Sequence, residues 1–269
     1  MTGQHKKKSL AARGWLPNQH GAWAMLTVPL VVGAVLAGRS SVGPAAWLIP
    51  LAIAEFAGYF AFNALGLWLH ARPGRRAVFR PPMMVYGVLT GLAAIAVLAL
   101  GGMPLLGWLP AAVVLAGSAI WLSSRKQDRS AASGLITTAM AVGVGLVVRF
   151  PAPALIVGDR LATGADLASF IALFGYYGGT VWHVKSLIRK WGDPVARRNS
   201  TLWHLVFLVL AVAASITHLL SVGWPAFFAL CLARTWWLSS PNRMKRPRPL
   251  QIGLLEMGMS VLALVIAIV

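Results

Sequence analysis

Hydrophobic positions along this chain fall into long runs separated by short polar stretches. Nine runs, at 21–38, 44–69, 82–101, 103–122, 131–148, 165–186, 200–220, 222–240 and 250–269, are long enough to cross a hydrocarbon core as helices. The stretches between them hold the usual helix breakers, among them "GRSSVGP", "ARPGRRAVFRPP", "KWGDPVARRNS" and "SSPNRMKRPRP". The pattern predicts an all-α polytopic membrane protein of about nine transmembrane helices. A basic N-terminal segment, 1–20, precedes a single membrane domain, 21–269. The first run is too long for a removable signal peptide, and its exit has no A-x-A site.

Composition agrees with the pattern. Of 269 residues, 58% are hydrophobic and 11% charged, and mean hydropathy is +0.72. A soluble domain would need far more polar surface. Cys231 is alone and lies within an apolar run, which excludes a disulfide framework and a cysteine-based metal motif and marks it as a small core residue.

A net charge of +18 would suggest nucleic acid in a soluble protein. Its distribution points elsewhere. Of the 24 lysines and arginines, all but Arg39, Arg149 and Arg160 fall in the N-terminal segment or around the loops after the second, fourth, sixth and eighth runs. By the positive-inside rule this sets the N-terminus in the cytoplasm. The expected setting is the bacterial cytoplasmic membrane, with anionic lipids as partners and no nucleic acid.

Only six acids are present. Asp128, Asp159, Asp166 and Asp193 fall in the expected loops and read as solvated. Glu55 and Glu256 fall inside spans, where an ionised carboxylate costs on the order of 2.5–3.5 kcal/mol and needs a partner, water or a proton. Glu55 lies about 22 Å from the basic end of its span at 1.5 Å per residue. Glu55, Tyr59, Asn63, Gly66 and His70 share an arc of about 80°, a polar stripe down one helix face. Either the stripe holds neighbouring helices or it lines a site. Glu256 and Arg234 fall at similar depths in consecutive spans, which predicts a buried structural ion pair.

His183 shares a face with Tyr176 and Thr180, while Lys185 and Arg189 point away and can snorkel to the headgroups. Gly178 and Gly179 allow close helix approach or a kink. His204, Ser215 and His218 fall within about 60° on the next span, although the two histidines stand about 21 Å apart along it. His20, His70, His183 and His204 thus gather at the cytoplasmic helix ends, in no known zinc spacing.

Two resemblances follow. "PNQHGAW" (17–23), "HVKSLIR" (183–189) and "RPRPLQIGLLE" (246–256) resemble the YwiC-like family of bacterial membrane proteins, which implies no particular activity. More remotely, the architecture is similar to the UbiA-type intramembrane prenyltransferases, whose nine-helix bundle places its site at the cytoplasmic ends of spans two and six. Asn63, Arg80, Pro81 and Gly87 match parts of that pattern, but Ala64, Leu67 and Ala71 stand where the family has Mg²⁺-binding aspartates. The metal-dependent route of that family therefore lacks its ligands here, and no metal or cofactor is expected.

In their place are arginines and imidazoles, which hold an anionic headgroup without metal. The reading is a UbiA-like bundle binding an anionic lipid or isoprenoid-phosphate-like ligand at its cytoplasmic end. The expected ligand-binding residues are Gln19, His20, Glu55, Tyr59, Asn63, His70, Arg80, His183, Lys185, Arg189 and His204, with no catalytic residue assigned. The alternatives are a proton-coupled small-solute transporter using Glu55, or a membrane scaffold or assembly factor.

Overall fold

The computed structural model describes residues 10–17, 21–40, 45–157, 160–240 and 246–269. They form nine α-helices: α1 (Gly21–Gly38), α2 (Leu48–His70), α3 (Arg80–Ala99), α4 (Leu109–Ser124), α5 (Ala131–Arg149), α6 (Arg160–Ile188), α7 (Pro194–Ile216), α8 (Gly223–Leu238) and α9 (Pro249–Ile268). No strand occurs among the described residues.

Local chemistry sets several helix starts. Prolines occupy the first turn of α3, α4, α7 and α9, where the missing N–H has no helical partner to lose. Ser130 caps α5 by accepting from Ser133 N at 3.0 Å. Asp193 caps α7 by accepting from Val195 N at 2.9 Å and Ala196 N at 3.2 Å. This cap starts α7 six residues before the apolar run, so its first turns carry Arg197 and Arg198.

Among the described residues, seven helical stretches are long and apolar enough to cross a membrane: α1, α2, α3, Met103–Ser124 (α4 with the turn before it), α5, α7 and α9. The other two helices, α6 and α8, hold much of the core. Tyr176, Tyr177 and Leu173 of α6 pack with Trp224, Phe227, Phe228 and Cys231 of α8 and with Met259 and Ala263 of α9. α6 touches α1, α5, α7, α8 and α9, and it carries Thr163, Asp166, Ser169, Thr180, His183 and Ser186. A helix ringed by other helices can carry such groups because its neighbours shield them from lipid. α2 and α3 pair with each other beside this core, and α4 bridges α2 to α5.

Small residues bring backbones together. A Cβ on Gly33 would lie 2.2 Å from Gly145 O, and one on Gly145 would lie 2.1 Å from Pro29 O, so α1 and α5 meet backbone to backbone. Gly175, Gly178 and Gly179 instead receive the side chains of Phe207, Trp203 and His204 of α7. α6 runs through this glycine stretch as one continuous helix, so the glycines serve close approach.

One end of the bundle gathers five segments. Arg13 lines a groove with Arg75 and Val78; His70 meets Asp128 at 3.1 Å; Arg189 Nη1 reaches Arg129 O at 3.5 Å; and Arg246 Nε donates to Leu187 O at 3.2 Å. The N-terminal segment and the loops after α2, α4, α6 and α8 therefore share a face, and it is the basic one. At the other end, Trp108 Nε1 donates to Phe150 O at 2.8 Å.

Two expectations are corrected here. Asp166 is not a solvated loop residue: α6 begins at Arg160, and Asp166 lies within it, paired with Arg149, whose guanidinium also stacks 4.6 Å from the Phe150 ring centroid. His218 does not continue the face of His204 and Ser215. α7 ends at Ile216, and His218 turns the chain with φ 58°.

Candidate functional site

The expected site residues do not form one cluster. Gln19 and His20 lie outside the described residues. Arg80 is exposed at the first position of α3, Arg189 is exposed, and Lys185 is half-buried. The remainder divide into two groups on different helices.

The first group is the α2 stripe. Both carboxylate oxygens of Glu55, the Tyr59 hydroxyl and the Asn63 amide nitrogen are inaccessible and have no hydrogen-bond partner. At the end of the stripe, His70 Nε2 lies 2.9 Å from Ser123 O and 3.1 Å from Asp128 Oδ2.

The second group joins α6, α7, α8 and α9. Arg234 Nη1 donates to Glu256 Oε1 at 2.5 Å, and Thr180 Oγ1 donates to Glu256 Oε2 at 2.9 Å. The Tyr176 hydroxyl lies 3.0 Å from Glu256 O and 3.1 Å from Ser260 Oγ. One turn along α6, His183 is fully buried, and its ring centroid is 6.2 Å from that of His204 with the planes nearly perpendicular. His204 Nδ1 lies 2.7 Å from Ser200 O. A carbonyl only accepts, so Nδ1 carries the hydrogen, and the neutral ring keeps its lone pair on Nε2. That nitrogen lies against Gly179, where any Cβ would come within 2.7 Å.

This second group is under-satisfied. Both nitrogens of His183, His204 Nε2, Arg234 Nε and Nη2, Thr235 Oγ1 and Ser200 Oγ are buried without partners. Buried polar atoms are normally bonded, and a concentration of orphans points to something that binds there.

Above this group, at the basic end, opens a pocket of about 190 Å³ lined by residues including Ser186, Lys190, Trp191, Asp193, Arg197 and Ser239. Ser186 donates to His183 O at 2.7 Å, and Ser239 donates to Thr235 O at 2.6 Å. The pocket floor thus stands about one helical turn above the buried group. Lys190 Nζ bonds Asp193 Oδ2 at 3.1 Å. That bond, with the N–H groups of Ala196 and Val195, holds the Asp193 carboxyl below its ordinary range, so this acid is committed to the cap and to Lys190. Among the described residues, Arg197 is left as the cation on the wall that makes no ion pair.

Sequence reasoning missed Lys190, Arg197, Ser239 and Thr235 as site candidates. Lys190 and Arg197 read as topology charges and Ser239 as a loop residue; only the Asp193 cap, which starts α7 early, signals that Arg197 sits on a helix wall. Among the described residues, no set of three or more His, Cys, Asp or Glu is placed to hold a metal ion.

The fold defines the class: an all-helical, multi-pass membrane protein. Residues 16–149, from the N-terminal segment through α5, match the family model of the YwiC-like proteins. The strings at 183–189 and 246–256 lie beyond the matched stretch. No curated protein and no solved structure matches the chain.

Proposed function

We propose that this integral membrane protein binds an anionic amphiphile, such as an isoprenoid phosphate, with its headgroup in the pocket between the ends of α6, α7 and α8. The observation that carries this reading is the stacking of a cation-walled, hydroxyl-floored pocket directly above the unpaired donors of His183, Arg234 and Thr235. Arg197 and Lys190 supply charge-assisted hydrogen bonds to a phosphoryl group. Trp191 sits where an indole marks the membrane interface. The apolar tail runs along the bundle in the lipid. The inner bacterial membrane is the setting this reading assigns to the chain, from the gathering of its basic segments on one face. A UbiA-like arrangement of the helices belongs to the same proposal.

The test is lipid carried through purification in native nanodiscs, identified by mass spectrometry. Arg197→Gln is expected to lose a specific phosphate-bearing lipid by about tenfold, the loss of one charge-assisted bond of about 1.4 kcal/mol or more. Arg198→Gln, on the exposed side of the same turn, is expected to retain it. Equal lipid content in both variants and the wild type sinks the proposal.

A further inference from the structure

Glu55, Tyr59 and Asn63 belong to no pocket described above, and their orphaned atoms share one face of α2. Toward the far end of the helix, 48–54 reads "LIPLAIA", which contains no polar side chain. Toward the basic end the polar positions continue. A Cβ on Gly66 would lie 3.5 Å from Ser123 Oγ and 3.8 Å from Asp128 Oδ1, so the end of α4 closes on the stripe there. Ser123 is 1% exposed and its hydroxyl is unbonded. The His70–Asp128 pair follows, each side chain 34% exposed.

From Glu55 to Tyr59, Asn63, Gly66 and His70 the steps are four, four, three and four residues, or about 4.5–6 Å each. Such a gap is about two hydrogen bonds long, the reach of one bridging water. Tyr59, Asn63 and Ser123 each offer the polar contacts a bridging water requires.

The charges around Glu55 can be named for each helix that packs on α2. α1 and α4 carry no titratable residue. α3 carries Arg80, at its basic end, and Tyr86, whose hydroxyl donates to Trp15 O at 2.9 Å. α5 carries only Arg149, which pairs with Asp166 at the opposite end. No cation forms an ion pair with Glu55 among the described residues, so water or a proton must supply what the protein does not.

We infer that α2 carries a one-sided proton path, in which Glu55 exchanges a proton with the basic face through Tyr59, Asn63, Ser123 and the His70–Asp128 pair. A hydronium at the basic face gives up its proton, waters relay it, and an O–H bond forms on the Glu55 carboxylate. Return follows the same route, because 48–54 offers no polar group on the other side. This is the device a proton-coupled protein needs, and it stands apart from the lipid pocket.

The experiment is infrared spectroscopy of the full-length protein in lipid. The protonated-carboxyl band that Glu55→Gln removes is followed as it shifts on transfer to D₂O. The wild type is expected to exchange rapidly, Asn63→Leu to slow the exchange by about tenfold or more by breaking one bridge, and Asn63→Gln to restore it. A spectrum unchanged by Glu55→Gln, or exchange in a folded Asn63→Leu variant as fast as in the wild type, overturns the inference. Should Asn63→Leu not fold, Asn63→Cys decides the matter. Labelling by a membrane-impermeant thiol reagent from the basic side supports a wet path, and no labelling overturns it. Arg197→Gln is expected to leave the exchange unchanged, which keeps the test separate from that of the lipid pocket.

Discussion

Arg234 and Glu256 show how one pair organises three helices. Glu256 accepts from Arg234 of α8 and Thr180 of α6, while Tyr176 of α6 bonds to the α9 backbone beside it. Removing one partner strands a buried charge. Glu256→Gln is expected to destabilise the protein by about 3–5 kcal/mol, and the double replacement Arg234→Met/Glu256→Met to recover most of that loss. Denaturant melts in a single detergent check both; a double variant no more stable than Glu256→Gln argues that the pair does more than cancel charge. At this scale the sequence was partly legible. A carboxylate and a guanidinium at matched depth in adjacent spans require each other, because neither is tolerated alone. Asp166 was not legible in this way. Its partner Arg149 lies on the preceding helix across a proline-containing stretch, and only the early start of α6 at Arg160 brings the two together.

At the scale of elements, close approach decides which helices become neighbours. Gly145 touches the α1 backbone at Pro29, and backbone cannot step aside. Gly145→Ala is expected to cost about 1–3 kcal/mol by overpacking, whereas at Gly143 a Cβ meets nothing within 4 Å, and Gly143→Ala is expected to be neutral or slightly stabilising. Thermal melts of the two variants side by side check this. Hydropathy located the helix bodies but not the ends of α7. Its start is set by the Asp193 cap, and its finish by the left-handed turn at His218. A window average registers neither a side-chain-to-backbone bond nor a single positive φ.

At the scale of the whole molecule, the five basic segments lie on one face, which the positive-inside rule assigns to the cytoplasm. Cys231 is fully buried, so introduced cysteines report topology cleanly. Met103→Cys, between α3 and α4, is expected to react with an impermeant thiol reagent on intact cells, and Gln127→Cys, between α4 and α5, only after permeabilisation. The reverse pattern would invert the orientation and place both the lipid pocket and the proton path on the outer side.

The sequence by itself determined how many helices form, roughly where they lie, and which loops share a face. Those properties are one-dimensional: an apolar run of membrane length must be helical because lipid satisfies no backbone group, and charges stay on the side where they are inserted. Tertiary structure alone decided that the expected ligand residues form no single cluster, with Glu55, Tyr59, Asn63 and His70 on α2 and His183 and His204 among α6 to α9. In lipid, hydropathy does not choose a helix's neighbours. Small residues, shape and buried polar partners choose them, and these act between positions up to a hundred residues or more apart in the chain.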